Sequence, residues 1–84
     1  MILPPPNWLR YDQENKLMIW EEILNADSYQ FDVKPKISTE WGSFIVGTNE
    51  YYYDKTAGVY EAKGKTGNGG EWGPQSKLFE FIIE

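Results

Sequence analysis

The chain has 84 residues and a formal net charge of −5, so it forms one domain with one small core and repels nucleic-acid phosphates. It contains neither cysteine nor histidine, which excludes disulfides, cysteine-based metal sites, thiol nucleophiles and the usual proton shuttles. We therefore predict a single domain over residues 1–84, with no catalytic activity, no cofactor, no metal and no nucleic-acid partner.

The first six residues, Met-Ile-Leu-Pro-Pro-Pro, predict a stiff, extended leader at the start of the domain. They lack the basic segment and the longer apolar stretch of a signal peptide. No apolar run in the chain approaches the roughly 18 residues of a membrane span. Because the chain begins with Met, we expect a free-standing module, and a module cut from a longer receptor or enzyme is the alternative.

Residues 16–33 carry the clearest strand pattern. In residues 16–22, Met18 and Trp20 share one face of the predicted strand, whereas Leu17 and Ile19 share the other. Both faces of that strand are apolar, which is unusual at a protein surface. The following strand ends near residue 35 and alternates apolar with polar residues, so one of its faces is buried. Its predicted inward residues are Tyr29, Phe31 and Val33.

Further strands are predicted on both sides of this pair. They cover residues 7–12, part of 37–47, 50–53, 59–66 and 77–84. In residues 50–53 three tyrosines follow one another, and at least one must point outward because neighbours alternate faces. In the last strand Phe79, Phe81 and Ile83 share one face. Residues 67–70 predict a flexible glycine loop.

Trp20, followed by Ala26, Tyr29 and Val33 at the spacing Ala-x-x-Tyr-x-x-x-Val, resembles the second and third strands of fibronectin type III domains. Tyr60 is similar to a tyrosine of that family whose hydroxyl bonds back to the preceding corner. The resemblance covers nearly the whole chain. It implies an all-β fold, a seven-stranded antiparallel Greek-key β-sandwich.

The resemblance also implies which side chains point inward. In the first strand Leu9 and Tyr11 would face the core, and Trp8 and Arg10 would face outward. In the sixth strand the inward residues after the corner tyrosine would be Ala62, Gly64 and Thr66. These side chains are small, so aromatic residues of other strands must fill the space beside them.

Residues 71–76, Glu-Trp-Gly-Pro-Gln-Ser, resemble the tail of fibronectin-like domains and, more distantly, the Trp-Ser-x-Trp-Ser box of cytokine-receptor modules. In that box the tryptophan stacks on cationic side chains. Here the available cations are Lys63 and Lys65, so Trp72 would gain only about 0.5–1 kcal/mol from such a stack. We interpret this segment as structural.

Outward apolar residues predict a contact surface on the domain. Leu17 and Ile19 face outward in the second strand, and Trp8 and Tyr52 lie on the neighbouring strands of the same sheet. A contiguous patch of this kind on a small domain marks an interface. The alternative is a bulge or a different register that turns some of these residues inward, or loops that cover them.

We therefore predict a non-catalytic binding or structural module that docks on a larger assembly or forms a homo-oligomer. Small free-standing sandwiches of this type are familiar as decoration or accessory proteins of virus and phage particles, so a virion is the suggested location, by analogy of fold. The alternative is a carbohydrate-binding or accessory module of a carbohydrate-active enzyme. In that case exposed Trp41, Tyr51 and Trp72 would stack on sugar rings.

Overall fold

The computed structural model describes residues 2–84, which are built from antiparallel strands and turns. The strands are β1 (Trp8–Asp12), β2 (Leu17–Trp20), β3 (Ser28–Pro35), β4 (Gly42–Val46), β5 (Glu50–Tyr52), β6 (Gly58–Asn68), β7 (Glu71–Trp72) and β8 (Phe79–Ile83). Met1, the first residue of the predicted leader, lies outside the described residues. Within residues 2–84 no helix has the length and apolar character needed to cross a membrane.

The strands form two antiparallel sheets that share one core. The first sheet has the order β1-β2-β5, and the second has the order β4-β3-β6, with both β7 and β8 paired to β6. The predicted all-β, sandwich-like fold is therefore confirmed. The number of strands is eight rather than seven, because the two-residue strand β7 precedes the last predicted strand.

The core lies between the two sheets and is rich in aromatic rings. Met18 and Trp20 of β2 are fully buried, and the Trp20 ring stacks on Phe31 of β3 with centroids 5.6 Å apart. Tyr29 and Val33 are buried on the same side of β3. Alternation thus places the inward residues of β2 and β3 as predicted, although Asp32, on the other face of β3, is also buried.

In β1 the predicted faces are wrong for two residues. Trp8 packs against the core, with its ring centroid 5.3 Å from that of Trp20, and Leu9 is 56% exposed. The cause is a β-bulge, since the pairing with β2 shifts register between Trp8 and Arg10. The extra residue in β1 allows both Trp8 and Tyr11 to face inward.

Strand β6 has the small inward residues that were predicted. Ala62, Gly64 and Thr66 are buried, and the ring of Trp8 fills the space beside Gly64. At the start of the strand, the Tyr60 hydroxyl donates a hydrogen bond of 2.6 Å to the carbonyl oxygen of Thr56. This confirms the predicted bond between the tyrosine and the preceding corner.

The glycine segment after β6 is shorter than the predicted loop. Strand β6 continues to Asn68, and only Gly69 and Gly70 turn the chain into β7, with φ angles of 59° and 83°. Positive φ at both positions is the requirement of a tight hairpin turn. The backbone N–H of Gly69 also donates to the Asp27 carboxylate at 2.8 Å, which fastens the hairpin to the β2–β3 connection.

The proline-rich leader is packed against the domain. Leu3 and Pro6 are buried, although Pro4 between them is exposed. The backbone of Leu3 runs so close to Gly73 that a Cβ on the glycine would collide with the Leu3 carbonyl oxygen. Leu3 and Pro6 are thus buried against the domain, whereas Ile2 is exposed.

Candidate docking surface

The outer side of the three-stranded sheet presents three apolar side chains. Leu17 of β2 pairs directly with Tyr52 of β5, and Ile19 lies two residues further along β2. Tyr52 is 60% exposed, and Leu17 and Ile19 are half-buried. Residues 17, 19 and 52 point the same way because Met18 and Tyr51, the intervening pair, face the core. We call Leu17, Ile19 and Tyr52 the outer patch.

The structure brings together three of the four residues predicted for this interface. The fourth, Trp8, lies at the core because of the bulge in β1. Exposed Leu9 follows it, next to Arg10, the residue that pairs with Ile19. One sequence signal for the position of Trp8 was available: the small inward residue Gly64 requires a large side chain opposite it.

Charged residues border the outer patch, and most of them are acidic. Asp12 forms an ion pair of 3.8 Å with Arg10, Glu50 pairs with Ile19 across the strands, and Asp54 accepts a 3.3 Å hydrogen bond from the Tyr52 hydroxyl. The border therefore combines three carboxylates with one guanidinium. Such a border complements basic groups on a partner.

Local hydrogen bonds keep the carboxylate of Asp12 ionised. The side chain of Asn15 donates to Asp12 at 2.9 Å, and the backbone N–H groups of Glu14 and Asn15 donate at 3.1 and 3.2 Å. These bonds, led by that from the Asn15 side chain, lower the pKa of Asp12. The negative charge of Asp54 raises the pKa of Tyr52, which therefore stays neutral at the patch.

The three aromatic residues predicted for sugar binding are half-buried and lie on different parts of the fold. Trp41 precedes β4 and has the Lys63 ammonium 4.1 Å from its ring centroid. Tyr51 stacks on Phe44 with centroids 4.7 Å apart. Trp72 lies against Gly67, where an added Cβ would come within 3.0 Å of the ring. Lys63 was predicted to stack on Trp72, but in the structure it stacks on Trp41.

Two of the clefts on the surface of residues 2–84 lie beside the leader and beside the corner before β6. One, of about 370 Å³, lies between the leader and the start of β8, and the other, of about 430 Å³, lies between the β3–β4 turn and the corner before β6. Lys77 lines the first cleft, and Lys36 and Tyr60 line the second. Neither cleft brings two carboxylates together, and residues 2–84 contain no cluster of potential metal ligands.

No protein-family model, no curated protein and no solved structure matches the chain. Its function is therefore inferred from the strand pairing, exposure and charges of its own residues.

Proposed function

We propose that the protein is a non-catalytic binding module that docks on a larger protein assembly through the outer patch. The observation that carries the proposal is that Leu17, Ile19 and Tyr52 share one face of a sheet whose other face already covers the core. Strand β2 is apolar on both sides, but the core of the domain covers only the side of Met18 and Trp20. A partner that covers the second side accounts for the apolar residues there.

As part of this proposal, the chain is a fibronectin type III-like Greek-key sandwich. Support comes from the division of the strands into β1-β2-β5 and β4-β3-β6-β8 layers and from the hydrogen bond between Tyr60 and Thr56. A sandwich of this kind is a rigid support for a binding face. Its fold alone does not specify the partner.

The partner is a protein surface with an apolar patch bordered by lysine or arginine. This follows from the acidic border of the outer patch and from the net charge of −5, which favours approach to basic surfaces. The outer patch is small, so one contact is weak. An assembly with many identical subunits, such as a capsid or a virus tail, would present many copies of the site, so that many copies of the chain could bind, each through its own contact.

Sugar binding has weaker support from the geometry. Stacking of a sugar on Trp41 would displace Lys63 from the ring, and stacking on Tyr51 would displace Phe44. In the outer patch, by contrast, no aromatic ring or cation of residues 2–84 stacks on Tyr52, the most exposed member, whose side chain bonds only through its hydroxyl.

The test is sedimentation of the tagged protein in a lysate of its source cells, where large assemblies separate from free chains. We expect wild-type protein in the fraction of large particles and the double variant Leu17→Lys plus Ile19→Lys among free chains. Ile82→Lys is the matched control, since Ile82 is 58% exposed on the other sheet, and it should sediment like wild type. Circular dichroism establishes that each variant is folded. A folded double variant that still sediments with the particles, or wild-type protein found only among free chains, would overturn the proposal.

A further inference from the structure

Strand β4 forms an open edge of the five-stranded sheet, since it pairs with β3 alone. Its residues Gly42–Val46 include no charge and no proline, and its pairing with β3 runs without a bulge. Charges, prolines and bulges are the features that normally prevent an edge strand from pairing with another chain. The uncharged stretch extends from Trp41 to Asn49, although the chain as a whole has a net charge of −5.

The opposite edge of this sheet is protected by a side chain. The Gln13 amide donates a 2.6 Å hydrogen bond to the carbonyl oxygen of Ile82 and accepts one of 3.0 Å from the backbone N–H of Glu84. The amide therefore bonds to the end of β8 as a neighbouring strand would. Strand β5, an edge of the other sheet, is protected in two ways. Glu50 places a charge on the strand, and its backbone carbonyl accepts a hydrogen bond from the Thr48 hydroxyl. Strand β4 has neither kind of protection.

The hydrogen bonding of β6 shows which backbone groups of β4 point to the open edge. The N–H and carbonyl of Gly64 bond to Ser76, on the side of β6 away from β3. Phe31, which pairs with Gly64, therefore directs its own backbone groups to Phe44 of β4. Because the bonding direction alternates along a strand, Ser43 and Ile45 direct their N–H and carbonyl groups outward.

We propose that two copies of this chain pair antiparallel along β4, about a two-fold axis at Phe44. In this register Ser43 of each copy lies opposite Ile45 of the other, and each such pair exchanges both of its backbone hydrogen bonds. The two Phe44 residues lie opposite each other at the centre, and they exchange no backbone hydrogen bonds because their N–H and carbonyl groups point to β3. The two five-stranded sheets become one continuous sheet across the dimer.

A second copy fits this edge because the register is self-complementary. Ile45 is 67% exposed on the outer face, and in the dimer it lies against Ser43 and within diagonal reach of the other Ile45. The uncharged strand adds no repulsion at the contact. Since one strand edge buries less than about 1,200 Å², the dimer is reversible and depends on concentration. The outer patch stays free in both copies, so the inference does not rest on the proposed function.

Sedimentation equilibrium of the purified chain over a range of concentrations tests the dimer. Wild-type protein should be monomeric when dilute and dimeric when concentrated. Ile45→Lys should raise the concentration at half-dimerisation by about tenfold or more, because it places two like charges beside each other. Ile45→Pro removes a backbone N–H that points to the open edge and does not bond to β3. It should therefore raise the concentration at half-dimerisation as well. Ile82→Lys is again the control and should dimerise like wild type.

Cross-linking tests the register. The chain has no cysteine, and the central Phe44 pair places its two Cα atoms about 4.5 Å apart, within disulfide range. Phe44→Cys should therefore form a disulfide dimer on mild oxidation, and Tyr52→Cys should do so much more slowly.

Three outcomes would overturn the inference. They are a wild-type chain that stays monomeric at every concentration, a folded Ile45→Lys variant that dimerises normally, and a dimer lost in Leu17→Lys plus Ile19→Lys but kept in both Ile45 variants. The last would place the contact at the outer patch.

Discussion

The indole ring of Trp8 lies where a side chain on Gly64 would stand. A Cβ built on Gly64 would come within 3.1 Å of the ring. The indole N–H donates to the Ser76 hydroxyl at 3.1 Å, and that hydroxyl also accepts a 3.0 Å bond from the backbone N–H of Gly64. The bulged strand β1, the glycine of β6 and the serine before β8 therefore form one connection between the two sheets.

Replacing Gly64 with alanine should destabilise the domain by about 1–3 kcal/mol. The new Cβ would collide with the Gln30 carbonyl oxygen and press on the Trp8 ring. Urea denaturation followed by tryptophan fluorescence gives the free energy of unfolding. Gly47→Ala is the control, because the nearest atom to its Cβ is 3.9 Å away, and we expect a change within about 0.5 kcal/mol. Equal effects of the two substitutions would contradict the packing described for Trp8.

Replacing Ser76 with alanine should cost about 1–3 kcal/mol of unfolding free energy. The substitution removes the acceptor shared by Trp8 and Gly64 and leaves two partly buried N–H groups without it. Denaturation of Ser38→Ala provides the comparison, since the Ser38 hydroxyl accepts one bond in a surface turn. If both variants lose the same small amount, water replaces the Ser76 hydroxyl and its role in joining the sheets is minor.

Replacing Thr66 with valine should leave stability unchanged or raise it by about 1 kcal/mol. Thr66 is fully buried, and its hydroxyl has no hydrogen-bond partner among the described residues. Valine keeps the branched shape and removes a desolvated polar group. Thr66→Ala should destabilise, because it also leaves a cavity. A marked loss of stability in the valine variant would show that the hydroxyl has a partner, such as a buried water.

Alternation of side chains was sufficient to predict much of the fold. In β3 every second residue is large and apolar, so only one register buries all of them. In β2 both faces are apolar, and alternation shows only that Met18 and Trp20 share one of them. For residues 51–53 the same reasoning predicted that at least one tyrosine points outward, and in the structure it is Tyr52. Neighbours in the sequence thus place Leu17 and Ile19 on one face of β2, whereas the choice of that face as the outer one depends on the packing of β2 against β3.

The positions that could not be predicted depend on contacts between distant parts of the chain. The bulge that turns Trp8 inward is a mismatch between β1 and β2, and it becomes visible only when the two strands are paired. Trp41 meets Lys63 because β4 and β6 lie on either side of β3. Gln13 reaches the end of β8 from the first turn of the chain. Local periodicity carries no information about such pairings.

Acid should weaken the attachment of the β6–β7 hairpin through Asp27. The backbone N–H of Gly69 and the Ser28 hydroxyl donate to this carboxylate at 2.8 and 2.9 Å, and these bonds, the first above all, lower its pKa from the ordinary value of an aspartate. A carboxyl whose pKa is lowered by folding stabilises the fold above its unfolded pKa, and that contribution is lost as pH falls through the folded value. Asp27→Asn should therefore be less stable than wild type near neutral pH. The difference should shrink below about pH 4.

Thermal unfolding of both proteins between neutral pH and acid checks this. Glu22→Gln is the matched control, because it removes one exposed carboxylate from the same β2–β3 connection and changes the net charge equally. Its stability relative to wild type should show no comparable convergence in acid. If Asp27→Asn stays less stable by the same amount throughout the acid range, the Asp27 charge does not fasten the hairpin, and the loss comes from the shape of the substituted side chain instead.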